Sequence, residues 1–167
     1  RLCGAARPGH FRGVLTVVTK LFGIVQPNVA FFGQKDAQQV LMIHHMARDL
    51  DLGVVVRAVE TVREKDGLAM SSRNRYLSSD DRRRALSLSR ALRATEVAFD
   101  GGERCGDALR STLRSEVARE SGVRLQYVAV ASLDDFREVE HVAVGDRALA
   151  AVAAHVGTTR LIDNVVL

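Results

Sequence analysis

The chain has 167 residues, of which 47% are hydrophobic and 26% charged, and its formal net charge is +4. This composition excludes a disordered chain, and the length suits one ordinary domain or two small ones. Aromatic residues make up only 5%, and the arginines are scattered among aspartates and glutamates, which does not fit a dedicated nucleic-acid binder. No apolar run is long enough to span a membrane.

Two cysteines, Cys3 and Cys105, and five histidines provide neither a disulfide framework nor metal-ligand spacing. The sequence therefore predicts no metal site. Because the thiols are free and no signal-peptide pattern is visible, we expect a cytoplasmic protein.

The first part of the chain alternates helical and extended patterns. Apolar residues recur at helical spacing over 11–25, short apolar runs at 29–33 and 54–59 predict buried strands, and the amphipathic segment 36–49 between them predicts a helix. Strand, helix and strand in this order predict a parallel βαβ unit with a right-handed crossover.

Two parallel strands alone leave an open edge and an uncovered apolar face. We therefore expect this part to expose more apolar surface than a monomer usually tolerates. The chain also starts at Arg1 and not at Met. Both observations predict that it is the second half of a doubly wound domain whose first half is a separate chain or has been removed.

The second part, after Leu77, has an α+β pattern. The sequence Ser78-Ser79-Asp80-Asp81 predicts a helix start, because hydroxyls cap the free amides and carboxylates suit the positive end of the dipole. The predicted elements are helices over 78–99 and 107–120, a strand over 123–130, and a hairpin formed by 147–156 and 161–167. On the first strand we expect Leu125, Tyr127 and Ala129 to share a face. The predicted domains are thus residues 1–77 and 78–167.

The segment Met70-Ser71-Ser72-Arg73 combines two hydroxyls with a guanidinium in a stretch without hydrophobic periodicity. It follows Asp66-Gly67, a turn dipeptide, so we interpret it as a loop. Hydroxyl donors and a guanidinium, which binds two oxygens at once, suit a polyphosphate. Taken alone, the segment is better explained as a solvated polar turn than as a binding site.

A second phosphate-type signal, Gly33-Gln34-Lys35-Asp36, lies between the first predicted strand and the next helix. Ligands collect at the carboxyl ends of strands in open α/β sheets, where helix amides and a lysine attract anions. The loop at 61–74 leaves the second strand at the same rim. Two signals on one rim favour a binding site over a capped helix with an exposed lysine.

Other polar residues have simpler explanations. Gln39, one turn after Asp36, is better explained by solvent exposure than by a substrate contact. The adjacent His44 and His45 point about 100° apart and cannot share an ion. Arg82-Arg83-Arg84 is most simply a solvated helix face, and Cys105 has no activating partner.

Four segments together resemble the pantothenate synthetase family over nearly the whole chain. They are Arg7-Pro8-Gly9-His10-Phe11-Arg12-Gly13, Phe32-Gly33-Gln34-Lys35-Asp36-Ala37-Gln38-Gln39, Asp66-Gly67-Leu68-Ala69-Met70-Ser71-Ser72-Arg73-Asn74 and Arg160-Leu161-Ile162-Asp163-Asn164. The resemblance implies a Rossmann-like nucleotidylyl transferase sheet followed by a small α+β lid. It also implies an AMP-forming ligase that joins pantoate to β-alanine with ATP and Mg²⁺ through a pantoyl adenylate.

The same resemblance assigns roles to individual residues. Lys35, Ser71, Ser72 and Arg73 would be catalytic, and Gln39 would hold pantoate. The ATP site would be lined by Gly33, Gln34, Lys35, Asp36, Val62, Met70, Ser71, Ser72 and Arg73. Departures occur at Gln34, where the family usually has glutamate, and at Ala37, where it usually has an aromatic residue.

The resemblance further implies a homodimer and an amino-terminal half carrying a His-x-Gly-His motif, which Arg7-Pro8-Gly9-His10 does not replace. We therefore expect the chain alone to bind ATP poorly and to turn over little or nothing. Two alternatives remain at this point. One is another nucleotidylyl transferase that loads a different acid or a phosphorylated alcohol, and the other is a non-catalytic remnant that binds a partner half.

Overall fold

The computed structural model describes residues 9–167, so Cys3 and the Arg7-Pro8 start of the first motif lie outside the described residues. The chain divides into two compact units, one ending at Thr61 and the other comprising Val62–Leu167. The segment 62–77, which the sequence grouped with the first domain, falls in the second unit. Ion pairs and hydrogen bonds to later elements, described below, account for this grouping.

The first unit is a βαβ arrangement preceded by a helix. Its elements are α1 (His10–Val25), β1 (Val29–Gly33), a 3₁₀ turn (Gln34–Asp36), α2 (Ala37–Asp49) and β2 (Val55–Val59). The two strands are parallel, with Val29 opposite Val55 and Gly33 opposite Val59. The predicted helices and parallel strands of this part are confirmed.

Both helices of the first unit pack on the same face of the β1–β2 pair. The core contains Val18, Phe22, Ile43, Met46 and Ala47, with Ala30, Phe32 and Val56 of the strands packed against it. The alternate strand residues point to the opposite face, where none of the helices within residues 9–61 packs, and they are exposed: Val29, Phe31, Val55 and Val59.

The uncovered apolar surface is extensive. Phe31 keeps 69% of its surface exposed, and Ile24 on α1 keeps 76%, with Val17, Leu21 and Val25 of the same helix also exposed. The predicted exposure of apolar side chains in this part of the chain is confirmed, because these large side chains remain open to solvent.

The second unit is a three-stranded antiparallel sheet with two helices on one face. It contains a 3₁₀ helix (Ser72–Tyr76), α3 (Ser79–Asp100), α4 (Gly106–Ala118), β3 (Val123–Ser132), β4 (Ala148–Val156) and β5 (Thr159–Val166), with strand order β3-β4-β5. The predicted helix start is confirmed, because the Ser78 Oγ accepts a hydrogen bond from the Asp81 amide at 3.1 Å. None of the helices in the described part of the chain is long and apolar enough to cross a membrane.

One prediction about β3 is wrong. The register shifts between Leu125 and Tyr127, which inserts an irregularity into the strand. As a result Leu125 packs against the same core as Val128 and Val130, while Tyr127 and Ala129 point to the other face. A bulge reverses the alternation of all later side chains, and no feature of the sequence indicated where it falls.

The hairpin at the end of the chain has a tighter turn than predicted. Only Gly157 and Thr158 separate β4 from β5, so Thr159 and Arg160 belong to the strand. Gly157 has φ +55°, and a Cβ there would come within 2.9 Å of the Asp81 carboxylate. The left-handed backbone conformation therefore favours glycine at this turn, and a larger residue would also have to displace the Asp81 side chain.

Candidate functional site

The carboxyl end of β1 is open. The strand ends at Gly33, where an added Cβ would meet nothing within 4 Å. A 3₁₀ turn with half-buried Gln34 and Lys35 and exposed Asp36 follows, and half-buried Gln39 lies in the first turn of α2. Asp36, predicted as the first residue of the helix, ends the 3₁₀ turn instead. These residues form a polar rim beyond the strand.

A small hairpin precedes the polyphosphate-type segment. The Met70 amide donates to the Val62 carbonyl at 2.9 Å, which brings the two predicted ATP-site residues of this hairpin side by side. At its tip, the Leu68 amide donates to Asp66 Oδ1 at 3.2 Å, and Gly67 has φ +92°. The predicted Asp-Gly turn is confirmed, with glycine in a backbone conformation that it adopts at little cost.

The segment after this hairpin presents its donors to solvent. Ser71 Oγ accepts a hydrogen bond from the Arg73 amide at 3.2 Å, and Ser72 starts the 3₁₀ helix. Met70, Ser72 and Arg73 are exposed. Within the described part of the chain, the Arg73 guanidinium forms no ion pair. The segment can therefore offer a hydroxyl and a guanidinium to an anion.

Asn74 holds this segment from inside. It is buried, and its Nδ2 donates to the Ala69 carbonyl at 3.1 Å and to Glu64 Oε1 at 2.5 Å. One amide thus joins both arms of the hairpin to the start of the 3₁₀ helix. Sequence reasoning quoted Asn74 only as part of a motif and did not identify this support.

Arg82 of α3 supports the same hairpin from outside. It donates to Glu64 Oε2 at 2.6 Å and to Asp66 Oδ2 at 2.8 Å. The interpretation of Arg82 as part of a solvated helix face is therefore wrong, because the hairpin folds against the first turn of α3. Its neighbour Arg83 is exposed and pairs with Asp80, as a solvated helix face would.

These contacts change the pKa values of the carboxylates. Hydrogen bonds from Asn74 and then from Arg82 lower the pKa of Glu64. Burial favours a higher pKa for Asp66, but hydrogen bonds from the Leu68 amide and from Arg82 outweigh it, so the pKa of Asp66 is lowered. Both carboxylates are therefore anionic at neutral pH, and their oxygens already accept hydrogen bonds from within the chain.

A third contact ties the hairpin to the last strand. Arg63 Nη1 and Nη2 donate to Asp163 Oδ2 and Oδ1 at 2.7 and 3.1 Å. The Asp163 side chain is only 2% exposed, so this two-point pair is largely shielded from water. Because the partners lie 100 residues apart, no sequence spacing could have indicated the pair.

The predicted site residues fall in two groups. Gly33, Gln34, Lys35, Asp36 and Gln39 belong to the first unit, and Val62 and Met70–Arg73 belong to the second. Each group is brought together within its own unit. The convergence of both groups on one ligand stays a prediction.

The remaining candidate residues do not form a further site. The rings of His44 and His45 are 6.3 Å apart on α2, and Cys105 is exposed just before α4. Among residues 9–167, no group of three or more histidines, cysteines and carboxylates could hold a metal ion.

Comparison with known proteins gives a consistent picture. A family model described as pantoate-beta-alanine ligase matches residues 1–166. The pantothenate synthetase of Roseiflexus sp. strain RS-1 is 58% identical over 98% of the chain, and that of Acidobacterium capsulatum is 57% identical over 100%. The chain spans 58% and 55% of the length of these two relatives.

Comparison with solved structures leads to the same family as comparison of the sequences. Pantothenate synthetase from Thermus thermophilus superimposes with a TM-score of 0.90 at 44% identity, over 97% of this chain and 58% of the other. A pantoate-beta-alanine ligase from Francisella tularensis, described as complexed with beta-gamma ATP and beta-alanine, gives a TM-score of 0.67 at 33% identity, over 97% and 52%. By sequence and fold, the chain belongs to the pantoate-beta-alanine ligase family.

Proposed function

We propose that this chain is the carboxy-terminal, ATP-binding part of an enzyme that condenses pantoate with β-alanine. The observation that carries the proposal is the loop after β2, whose exposed serine and arginine are held in position by contacts of Asn74, Glu64 and Arg82 within the chain. Donors that are already positioned cost little reorganisation when charge develops on a phosphate. Family membership supplies the identity of the substrates.

The reaction has two transfers. A carboxylate oxygen of pantoate attacks the α-phosphorus of ATP, the bond to the bridging oxygen breaks, and pyrophosphate leaves. The uncharged amine of β-alanine then attacks the carbonyl carbon of pantoyl adenylate, AMP leaves, and the amine loses a proton. Neither step needs a covalent bond to the protein.

The residues of this chain would act by charge and position. Lys35 and Arg73 would neutralise the negative charge that grows on the departing phosphates, and the hydroxyls of Ser71 and Ser72 would donate to phosphate oxygens. Gln39, on the first turn of α2, would hold pantoate. The remaining lining of the ATP site would be Gly33, Gln34, Asp36, Val62 and Met70.

Mg²⁺ would accompany ATP and would be held chiefly by phosphate oxygens, as is usual for this ion. Asp36 is exposed at the rim of β1 and is the acidic group there that fits such a role. Glu64 and Asp66 do not fit it, because hydrogen bonds to Asn74 and Arg82 occupy their oxygens. The ion would supply charge neutralisation on the triphosphate.

The first unit would be completed by the part of the family protein that this chain lacks. The uncovered face of β1 and β2 offers Phe31 and three valines, an apolar surface that a further layer of helix or strand would bury. We propose the amino-terminal half as that layer, with residues 1–77 contributing the rest of the ATP and pantoate site. A homodimer of the completed enzyme stays a prediction, which light scattering would test.

Complementation tests the proposal. The purified chain would be mixed with the amino-terminal part of the Roseiflexus sp. relative, and pantoate-dependent exchange of labelled pyrophosphate into ATP would be measured. We expect exchange and pantothenate formation from the mixture and background rates from either part alone. A normal rate from this chain alone would contradict the proposed division of the site, and exchange with another acid but not with pantoate would identify a different transferase.

Lys35→Ala in the active mixture should lower the exchange rate by roughly two to three orders of magnitude, because it removes a charge that is most useful when pyrophosphate leaves. Lys65→Ala is the matched control, since Lys65 is exposed at the hairpin tip. A change of less than about threefold for Lys35→Ala would remove this residue from the mechanism. Failure of the mixture to react at all, despite stable association, would favour a non-catalytic remnant.

A further inference from the structure

The second unit contains a cavity beside Arg73, and Arg73 is the only residue of its lining to which a role has been given so far. It has a volume of about 490 Å³ and is lined by Arg73, Tyr76, Thr158, Thr159 and Arg160. Its walls are therefore the 3₁₀ helix Ser72–Tyr76, which includes Arg73, and the turn of the last hairpin. The volume lies within the range of small-ligand sites.

The cavity lining is cationic and rich in hydroxyls. Arg73 and Arg160 bring two guanidiniums, and the exposed Thr158 adds a hydroxyl. The Nε of Arg160 donates to Gln126 Oε1 at 2.9 Å, which restricts the orientation of its guanidinium. Arg75 adds a further positive charge, because it lies over the Tyr76 ring at 4.8 Å from its centre.

The strands behind the cavity carry a row of basic side chains. Arg124 lies opposite His155 across β3 and β4, and His155 lies opposite Arg160 across β4 and β5. Burial, and then the two arginines, lower the pKa of His155, so its neutral form is favoured at neutral pH. The guanidiniums of Arg124 and Arg160 therefore carry the positive charge of this row.

One carboxylate lies near the turn, but it is already engaged. Asp81 sits beside Gly157, and its Oδ2 accepts a hydrogen bond from Ser78 at 2.9 Å while its Oδ1 pairs with Arg84 at 3.2 Å. Its charge is thus balanced from the α3 side. The net character of the cavity stays positive.

We propose that this cavity binds the pyrophosphate portion of a polyphosphate, with Arg160 and Thr158 on one wall and Arg73 on the other. Guanidiniums on two walls could each bind a pair of phosphate oxygens. The identification of that ligand as the β- and γ-phosphates of ATP rests on the proposed function. The last hairpin would then hold the leaving group, in addition to the loop after β2.

Calorimetric titration of the 167-residue chain with inorganic pyrophosphate at low salt tests the site without needing pantoate or a completed enzyme. We expect Arg160→Ala to weaken pyrophosphate binding about tenfold. Arg160→Lys should weaken it about threefold, because lysine keeps the charge but cannot donate two parallel hydrogen bonds as the guanidinium does, and Thr158→Val about twofold. Arg114→Ala, at an exposed position on α4, is the matched control and should bind as the parent does.

Binding of pyrophosphate by both Arg160 variants within about 1.5-fold of the parent would overturn the proposal, as would no binding by the parent chain. The Arg160→Lys variant covers the case in which the alanine variant does not fold. The result of this titration can be distinguished from the result of the exchange assay that tests the proposed function. Pyrophosphate binding that depends on Arg160, with no exchange in the mixture, would leave this anion site standing and remove the ligase assignment.

Discussion

The two units of this chain bury their apolar side chains to different degrees. In the first, two helices cover one face of a parallel strand pair, five buried apolar residues form the described core, and the other face is bare. In the second, two helices and a three-stranded sheet enclose a core of 17 buried residues. The second unit has the core of an independent domain, whereas the first has a small core and exposed apolar strand residues.

The difference between the two units lies in how the faces of their sheets are covered. A parallel strand pair is normally covered on both faces, and each strand of such a sheet is apolar on both sides. Phe31 and Val55 follow this rule in sequence but not in exposure. The first unit therefore leaves apolar strand residues exposed, while the second holds its loop with contacts among its own residues.

The largest expected effect comes from exchanging a core residue of the second unit. Leu113→Ala removes a fully buried side chain of α4 and should lower the free energy of unfolding by about 3 kcal/mol. Phe31→Ala truncates a larger side chain on the bare face and should change it by less than about 0.5 kcal/mol. Urea denaturation of the chain followed by circular dichroism measures both.

The same Phe31→Ala variant should weaken association with the amino-terminal half, because the ring would then be buried in an interface. Equal destabilisation by the two variants in the isolated chain would show that the bare face is covered, and the contrast between the units would fail.

A smaller effect is expected at the pair that anchors the loop. Asp163→Ala should lower the free energy of unfolding by about 2 kcal/mol, since it leaves a partly shielded arginine without its partner; the value allows for the 33% exposure of Arg63. Arg63→Ala should cost more than Asp163→Ala, because it leaves the buried Asp163 carboxylate without its guanidinium partner. A double-mutant cycle gives the coupling between the two residues. Additive effects of the two changes would mean that the pair does not stabilise the second unit.

The smallest effect concerns acid stability. The pKa values of Glu64 and Asp66 are lowered in the folded chain. Their contribution is therefore complete above their unfolded pKa values of about 4, and is lost as the pH falls through the lower folded values. Replacing Arg82 by Met should reduce the loss of stability between about pH 5 and pH 3, measured by urea midpoints.

Arg83→Met is the matched control for this measurement, because Arg83 pairs with exposed Asp80 and does not touch the hairpin. An identical pH profile for the parent chain and the Arg82 variant would show that the hairpin carboxylates do not contribute to acid stability.

Sequence reasoning succeeded where the determining interactions are local. Helical spacing predicted α1 and α2, the serine-aspartate cap predicted the start of α3, and the Asp66-Gly67 turn followed from side-chain preferences. Two apolar runs on either side of a helix predicted the parallel pair. All of these signals lie within a few residues of the structure that they specify.

The failures concern interactions between distant residues. The irregularity near Tyr127 depends on how β3 meets β4, and the role of Arg82 depends on a hairpin that precedes it by 16 to 18 residues. The loop donors were visible in sequence as a motif. The amide, guanidinium and carboxylate that hold the loop were not, because each is an ordinary residue until the fold places it.

The Arg63–Asp163 pair has a consequence for synthesis. A chain emerges from the ribosome from its amino terminus, so Arg63 is exposed long before Asp163 exists. The serine-arginine loop cannot acquire its final anchor until the last hairpin has paired with the sheet. Nascent chains that stop short of that hairpin would hold the serine-arginine loop only through Asn74 and Arg82, so the final conformation of this loop is among the last features that the chain acquires.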